Sequence, residues 1–325
     1  MKNTSNEDMH GRADIHVHTR YSGFGNYSFL YFPESVVDPY KAVEAAQRKK
    51  LDVLCITDHN TIQGALIAKK YANHLASLEA FSATPKKGID VVAGEEISSA
   101  DGEILALFIT EKIRPGLGAA ETIDCIHEQG GIAIAPHPFS PQCPALQQKI
   151  FNLKLDGVEA FNAYHRDAYS NLIAQNFSPK RLARLGSSDA HTLGMIGNGY
   201  TTFSGNTGEE LRKSIMQGKT SFGGSRTPLS ECMSWSREAA REVFRMLHSS
   251  LKGEKNNDVL YSKIDRIKKR NKIIGLVGAG VYVGLQLSLF AGVLGEMVLN
   301  VKSRRNYCEF KKSYDTSIRL NYSQF

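Results

Sequence analysis

The chain has 325 residues, 42% of them apolar, and carries 40 Lys and Arg against 33 Asp and Glu, a formal net charge of +7. The surplus is local: residues 231–325 hold 17 basic and 9 acidic side chains, whereas residues 1–230 hold 23 and 24, so the body is neutral and lacks the basic face expected of a duplex nucleic-acid binder. Five scattered cysteines (Cys55, Cys125, Cys143, Cys232, Cys308) with no CxxC spacing argue against a disulfide framework and a cysteine zinc site, and fit a reducing compartment.

The first residues, MKNTSNEDMHGR, are polar and show no apolar signal-peptide core. The first strand is expected at 13–19, ADIHVHT, where His16 and His18 occupy alternate positions and project to one face. A helix is expected at 38–50. The next strand, 52–57, runs into TDHN, which supplies Asp58 and His59. A helix at 61–75 leads to a strand at 89–94, followed by GEEIS with Glu95 and Glu96. A further strand, EILALFI, is placed at 103–109, then a helix at 119–130. The strand GIAIAP (131–136) is followed by His137, GVEAFN (157–162) ends on Asn162, and RLGSSD (184–189) delivers Asp189 and then His191. The last helix of this series spans 207–218. Strands alternating with helices imply βα units and a largely parallel sheet, and seven such units suggest a barrel. No G-x-G-x-x-G or P-loop follows a strand, so a nucleotide cofactor has no support.

After residue 230 the character changes. Residues 235–255 read as an amphipathic helix and KIDRIKKRNK (263–272) as a basic stretch. Residues 273–295 carry no charge, and the segment 273–299, whose single charge is Glu296, is expected to form a transmembrane helix. Gly280, Gly284, Ser288 and Gly292 recur every four residues, a stripe that would let two such helices self-associate. The expected organisation is a barrel at 12–225, a helical basic linker at 231–272, the span at 273–299 and a basic tail at 300–325. The barrel is then membrane-anchored and cytoplasmic.

In a βα barrel the chemistry gathers at the C-terminal strand ends. His16, His18, His59, His137 and His191, with Asp58, Glu96 and Asp189, fall at the ends of five expected strands. Imidazole and carboxylate without thiolate suit Zn, Mn or Fe, and so many ligands imply two or three ions. Such a cluster of ions suits phosphoryl chemistry.

The ordered set D-x-H-x-H-T, T-D-H-N, G-x-E-I-S, P-H-P and S-D-A-H resembles the PHP (polymerase and histidinol phosphatase) superfamily over about residues 12–225. The resemblance implies a distorted seven-stranded βα barrel, (β/α)7, with a trinuclear metal site. Carried over, it implies that His16 and His18 hold one ion with Asp189, that Glu96 bridges, that His137 serves a second ion, and that His59 and His191 serve a third. Glu95 is then a neighbour, and Asp58 and Asp14 are supporting residues. Many members carry a His or Asp near the place of SGFG (22–25), where this chain has Gly23 and Phe24. Glu103 is either a replacement ligand or a solvent-facing strand residue, and Asn162 is a further candidate. Arg20 is either a phosphate-binding guanidinium, with Glu96 and Asp189 in the catalytic set, or a surface residue. The implied activity is hydrolysis of a small phosphomonoester, such as a nucleotide or nucleotide bisphosphate, by a metal-activated water. Two other readings use the same residues: a nuclease acting on polynucleotide ends, against which the neutral body counts, and a non-catalytic module tethered to a membrane.

Overall fold

The computed structural model describes residues 10–27, 30–79, 88–254, 258–284 and 287–322; the side chains of residues 26–31, 283–291 and 314–322 lie outside the description. The barrel wall is a nine-stranded sheet. In chain order its strands are β1 (Gly11–Val17), β4 (Val53–Ile56), β5 (Asp90–Ser99), β6 (Gly102–Leu107), β7 (Ile132–Ala135), β8 (Gly157–Asn162), β9 (Ala183–Ser187), β10 (Gly199–Phe203) and β11 (Ser221–Gly224). β2 (Phe24–Tyr27) and β3 (Leu30–Pro33) form a separate hairpin. The spatial order is β11-β10-β1-β4-β5-β6-β7-β8-β9. The two ends of this sheet approach each other. Thr201 of β10 donates to the Gly186 carbonyl of β9 (2.8 Å), and its hydroxyl accepts from the Gly186 N–H (3.0 Å). A Cβ on Gly199 would stand 1.9 Å from the Ser187 carbonyl oxygen, so only glycine permits this approach.

The wall is less parallel than the alternating pattern implies. β1–β4–β5 and β7–β8–β9 are parallel runs, but β6 is antiparallel to both its neighbours, and β10 and β11 are antiparallel as well. β5 and β6 are a hairpin closed by the two residues Ala100 and Asp101. Reversal of β6 puts its first residues, not its last, on the rim that the C-terminal ends of the parallel strands share.

Between the strands lie α1 (Pro39–Arg48), α2 (Gln63–Glu79), α3 (Ala119–Glu128), α4 (Ser170–Phe177) and α5 (Gly208–Met216). Their apolar positions pack outside the wall; Ile123 and Ile126 of α3, for example, join Ile97, Ile104 and Phe139 in one buried cluster. Asp38 caps α1, with Pro39 at the first helical position, and Thr207 with Glu210 forms a capping box on α5.

The expected transmembrane segment at 273–299 is corrected by the structure. The region after the barrel folds as α6 (Leu229–Leu251), α7 (Val259–Asp265), α8 (Lys269–Gly284) and α9 (Leu287–Tyr322). Among the described residues no helix is long and apolar enough to cross a membrane, and with that the membrane-anchored reading falls. Leu285 and Gln286 of the expected span lie outside the described residues. The physical reason is that the uncharged run is shared between two helices, the 16-residue α8, which begins with Lys269, Arg270 and Lys272, and α9, whose later turns are charged; its described small residues approach α6. A Cβ on Gly275 would meet Leu247 at 2.9 Å, one on Gly280 would meet Phe244 at 3.7 Å, and one on Gly292 would meet Leu229 at 3.2 Å. Gly284 and Ser288 of the stripe fall where side chains are not described. Glu296 is held by Arg166 (2.7 Å) and Arg226 (2.9 Å).

Candidate metal centre

Six segments deliver side chains to one rim. His16 is on β1 and His18 one residue beyond its end, and their Nε2 atoms are 3.0 Å apart. Glu96 of β5 lies between the other groups. Its Oε1 is 2.9 Å from His137 Nε2, and its Oε2 is 3.3 Å from His16 Nε2, 3.2 Å from His18 Nε2 and 3.2 Å from His59 Nδ1. Asp189 Oδ1 faces His16 and His18 at 3.6 and 3.4 Å. Glu103, at the start of the reversed β6, is 3.8 Å from His59 Nδ1 and 3.6 Å from His137 Nε2. His191 completes a third side with His18 and Asp189. All of these are buried except His59, which is partly open. His137 (φ 28°) and Asp189 (φ 51°) sit in the left-handed region, a local strain that fixes where the strand ends release their side chains.

Four groupings have ligand atoms within 4.8 Å of one another: His16–His18–Glu96, His16–His137–Asp189, His18–Asp189–His191 and His59–Glu96–Glu103. His59 therefore groups with Glu96 and Glu103, and His191 with His18 and Asp189. Glu103 belongs to the cluster and does not face solvent.

A second layer aims the imidazoles. His16 Nδ1 donates to Glu159 Oε1 (2.9 Å), and Glu159 also accepts from the His137 N–H (2.7 Å), Asn162 Nδ2 (3.0 Å) and the Ser187 hydroxyl (2.5 Å). The Ser22 hydroxyl donates to Asp58 (2.8 Å), so it accepts from His18 Nδ1 (3.1 Å). His191 Nδ1 donates to the Asp189 carbonyl (2.9 Å). Each bond places the proton on Nδ1 and leaves Nε2 with its lone pair, the form a metal needs. Asn162 Nδ2 also donates to Asp189 (3.1 Å). Asp58 accepts from Thr19 N–H and hydroxyl (2.6 and 2.7 Å), and Asp14 accepts from the Ser188 and Gly197 N–H groups (3.0 and 2.7 Å). Asp58, Asp14 and Asn162 thus orient neighbours and stand outside the four groupings. Glu95 leaves β5 on the other face and accepts from the Ile113 N–H (3.0 Å). Glu159 and Ser22 were not singled out from sequence. The signal for Glu159 was a carboxylate inside an apolar strand, where an unpaired charge is costly.

The electrostatics fit a cation. Burial alone would raise Glu96 and Asp189, but His16 and the other imidazoles outweigh it and hold both carboxyls well below their usual range. Burial would lower His18 and His137, but their carboxylate partners push both up to about 9. Burial, then the Glu96 charge, push Glu103 up to about 8. Burial drives His59 down to about 4 and His191 to about 3. Without an ion the cluster must take up protons to balance its carboxylates, and two Nε2 atoms at 3.0 Å face each other. Divalent cations satisfy the same lone pairs without those protons. His137 Nδ1 is buried with no hydrogen-bond partner among the described residues.

The cluster opens through His59 and Glu103 into a cleft of about 870 Å³, also lined by Ser22, Tyr21, Lys112 and Lys263. Arg20 points elsewhere. Its guanidinium binds Asp258 Oδ2 (2.6 Å) and Glu242 Oε1 (3.4 Å), which ties the end of the HxHT motif to α7 and α6.

The PHP-associated family model matches residues 170–220, a stretch that includes Asp189 and His191. Among solved structures, a two-domain protein from Bacteroides vulgatus containing a predicted PHP-like metal-dependent phosphoesterase aligns with 16% identity and a TM-score of 0.49, covering 72% of each chain. Two uncharacterized proteins of Methanocaldococcus jannaschii are similar in sequence. MJ1588 is 32% identical over 115 residues, 35% of this chain and 99% of its own length. MJ1587 is 48% identical over 171 residues, 53% of this chain and 93% of its own length. On that identity and coverage, the chain belongs to the same family as the M. jannaschii protein MJ1587.

Proposed function

We propose that this protein is a metal-dependent phosphoesterase that hydrolyses a small phosphomonoester. The observation that supports this reading most is the gathering of five imidazoles and three carboxylates on one rim, with His16 aimed by Glu159 and His18 by Ser22, residues outside the four groupings. His16, His18, His59, His137 and His191 with Glu96, Glu103 and Asp189 would hold two or three divalent ions of the Zn, Mn or Fe kind. Ions bound there neutralise phosphoryl charge and make water a better nucleophile. Glu96 offers one oxygen to His16, His18 and His59 and the other to His137, the arrangement of a bridging carboxylate. Glu159 and Ser22 hold the imidazole tautomers, and Glu159 and Asn162 fix the His137 and Asp189 corner. The partly open His59 and the buried Glu103 line the mouth of the cleft, where the reacting phosphoryl group would bind, and its volume lies in the range of small-molecule sites.

The test is phosphate release from a panel of phosphomonoesters and short oligonucleotides by the full chain with added Mn²⁺ or Zn²⁺, with metal analysis of the same sample. Release from monoesters is expected, and Glu96→Ala is expected to lose bound metal and at least about a hundredfold in turnover. Glu96→Ala with wild-type activity would remove Glu96 as the bridge. Cleavage of oligonucleotides alone would replace the monoester reading with the nuclease.

A further inference from the structure

We infer that Lys263 of α7 is a specificity-determining residue, which binds an anionic group of the substrate remote from the metal cluster. This rests on the phosphoesterase reading. The wall of the cleft is not made by the barrel alone. α7 presents two faces at four-residue spacing: Leu260 and Ile264 are fully buried against Val243, Met246 and Leu247 of α6, while Val259 and Lys263 line the cleft. The helix is fixed in that orientation. Asp258 caps it through the Leu260 N–H (2.8 Å), and its other oxygen takes the Arg20 guanidinium at 2.6 Å. Arg20 follows the His16–His18 motif by two residues, so the metal-bearing strand and the lysine-bearing helix are coupled through one ion pair.

The lysine reaches the cleft over Gly23. A Cβ at that position would stand 2.6 Å from Lys263 Nζ, the flexible end of an exposed side chain, and Gly23 has φ +83°, so the backbone favours glycine there and the ammonium lies close over it. No carboxylate among the described residues lies within ion-pair distance of Lys263 Nζ. Lys112, from the segment after β6, lines the same cleft. An ammonium laid over a glycine at the mouth of a carboxylate-rich site is placed to meet an anion that arrives with the substrate. The cleft of about 870 Å³ has room for more than a phosphoryl group and a short alcohol. The chemistry implied is a phosphomonoester with a second negative group, one phosphate at the cluster and the other anion at Lys263.

The test compares adenosine 5′-monophosphate with adenosine 3′,5′-bisphosphate on the full chain loaded with Mn²⁺, for wild type, Lys263→Ala and Lys263→Arg. Lys263→Ala is expected to lower the preference for the bisphosphate, as the ratio of kcat/KM values, by about tenfold, through KM more than kcat. Lys263→Arg should keep most of the preference. An equal effect of Lys263→Ala on both esters, or none, overturns the assignment. If the wild type releases phosphate from neither ester, the hydrolase reading fails for these esters. Calorimetric binding of the bisphosphate then decides Lys263 separately: about tenfold weaker binding to Lys263→Ala supports it, and equal binding or no binding by the wild type overturns it.

Discussion

Glu159 shows how much of this site lies in residues that touch no reacting group. Its carboxylate fixes the His16 tautomer, the His137 backbone and Asn162 at once. Glu159→Ala is expected to weaken metal binding by about ten- to a hundredfold while leaving every candidate ligand in place, measured by competition with a chelating dye. Unaltered affinity would reduce Glu159 to a buried structural acid. His165 offers a test of pH dependence at a buried imidazole outside the four groupings, one that also feels the charges of His137, Glu159 and Asp189. Burial, more than the opposing Asp167 charge, lowers its pKa, and only its Nδ1 has a partner, Asn171 at 3.1 Å. The folded chain keeps it neutral where the unfolded chain, with a pKa of about 6.5, binds a proton. Its contribution is therefore complete above about 6.5 and is lost as pH falls below that value toward the folded pKa. Urea unfolding with chelator at about pH 7 and about pH 5.5 should show a smaller acid loss for His165→Gln than for wild type. Equal losses would show that His165 is not a source of the slope.

At the scale of elements, the decisive feature is how α9 meets the barrel. Arg166 is nearly buried and gives Nη2 and Nε to Glu296 at 2.7 and 2.9 Å, with Arg226 on the same oxygen. The Ala168 N–H donates to Asn300 (2.9 Å), and Phe310 packs edge-on against Phe139, centroids 4.8 Å apart. Glu296 is thus the polar fastening of a helix whose next turns carry aromatics to the barrel. Glu296→Ala strands a largely buried guanidinium, and a loss of about 2 kcal/mol in unfolding free energy is expected from urea titration. An unchanged midpoint would mean that the aromatic contacts hold α9 alone. The reversed β6 is the other element whose geometry matters. Had it run parallel, Glu103 would stand at the opposite end of the wall from His59 and His137.

At the scale of the whole molecule, the neutral barrel and the basic region after it form one packed body. α6 lies against both: Trp235 donates to the Glu34 carbonyl (3.0 Å), while Val243, Met246 and Leu247 make a small core with α7 and Ala279 of α8. The identity and order of most of the clustered imidazoles and carboxylates were legible in the sequence, because such groups at the ends of period-two apolar runs are placed by local backbone geometry. His16 and His18 needed nothing but their spacing to share a face. The α/β alternation was legible for the same reason. Strand direction was not, since parallel and antiparallel strands share one period; nor were β2, β3, β10 and β11, whose runs are short or polar. Which ligand atoms group, that Glu159 orients His16 across 143 positions, and that Arg20 binds Asp258 and not a free anion were decided by chain closure between distant segments. The fate of residues 273–299 was decided there too. An uncharged run states only that water is a poor solvent for it; the fold divides it between α8 and α9 and lays its small residues toward α6, while Ile274, Val277 and Leu294 stay exposed.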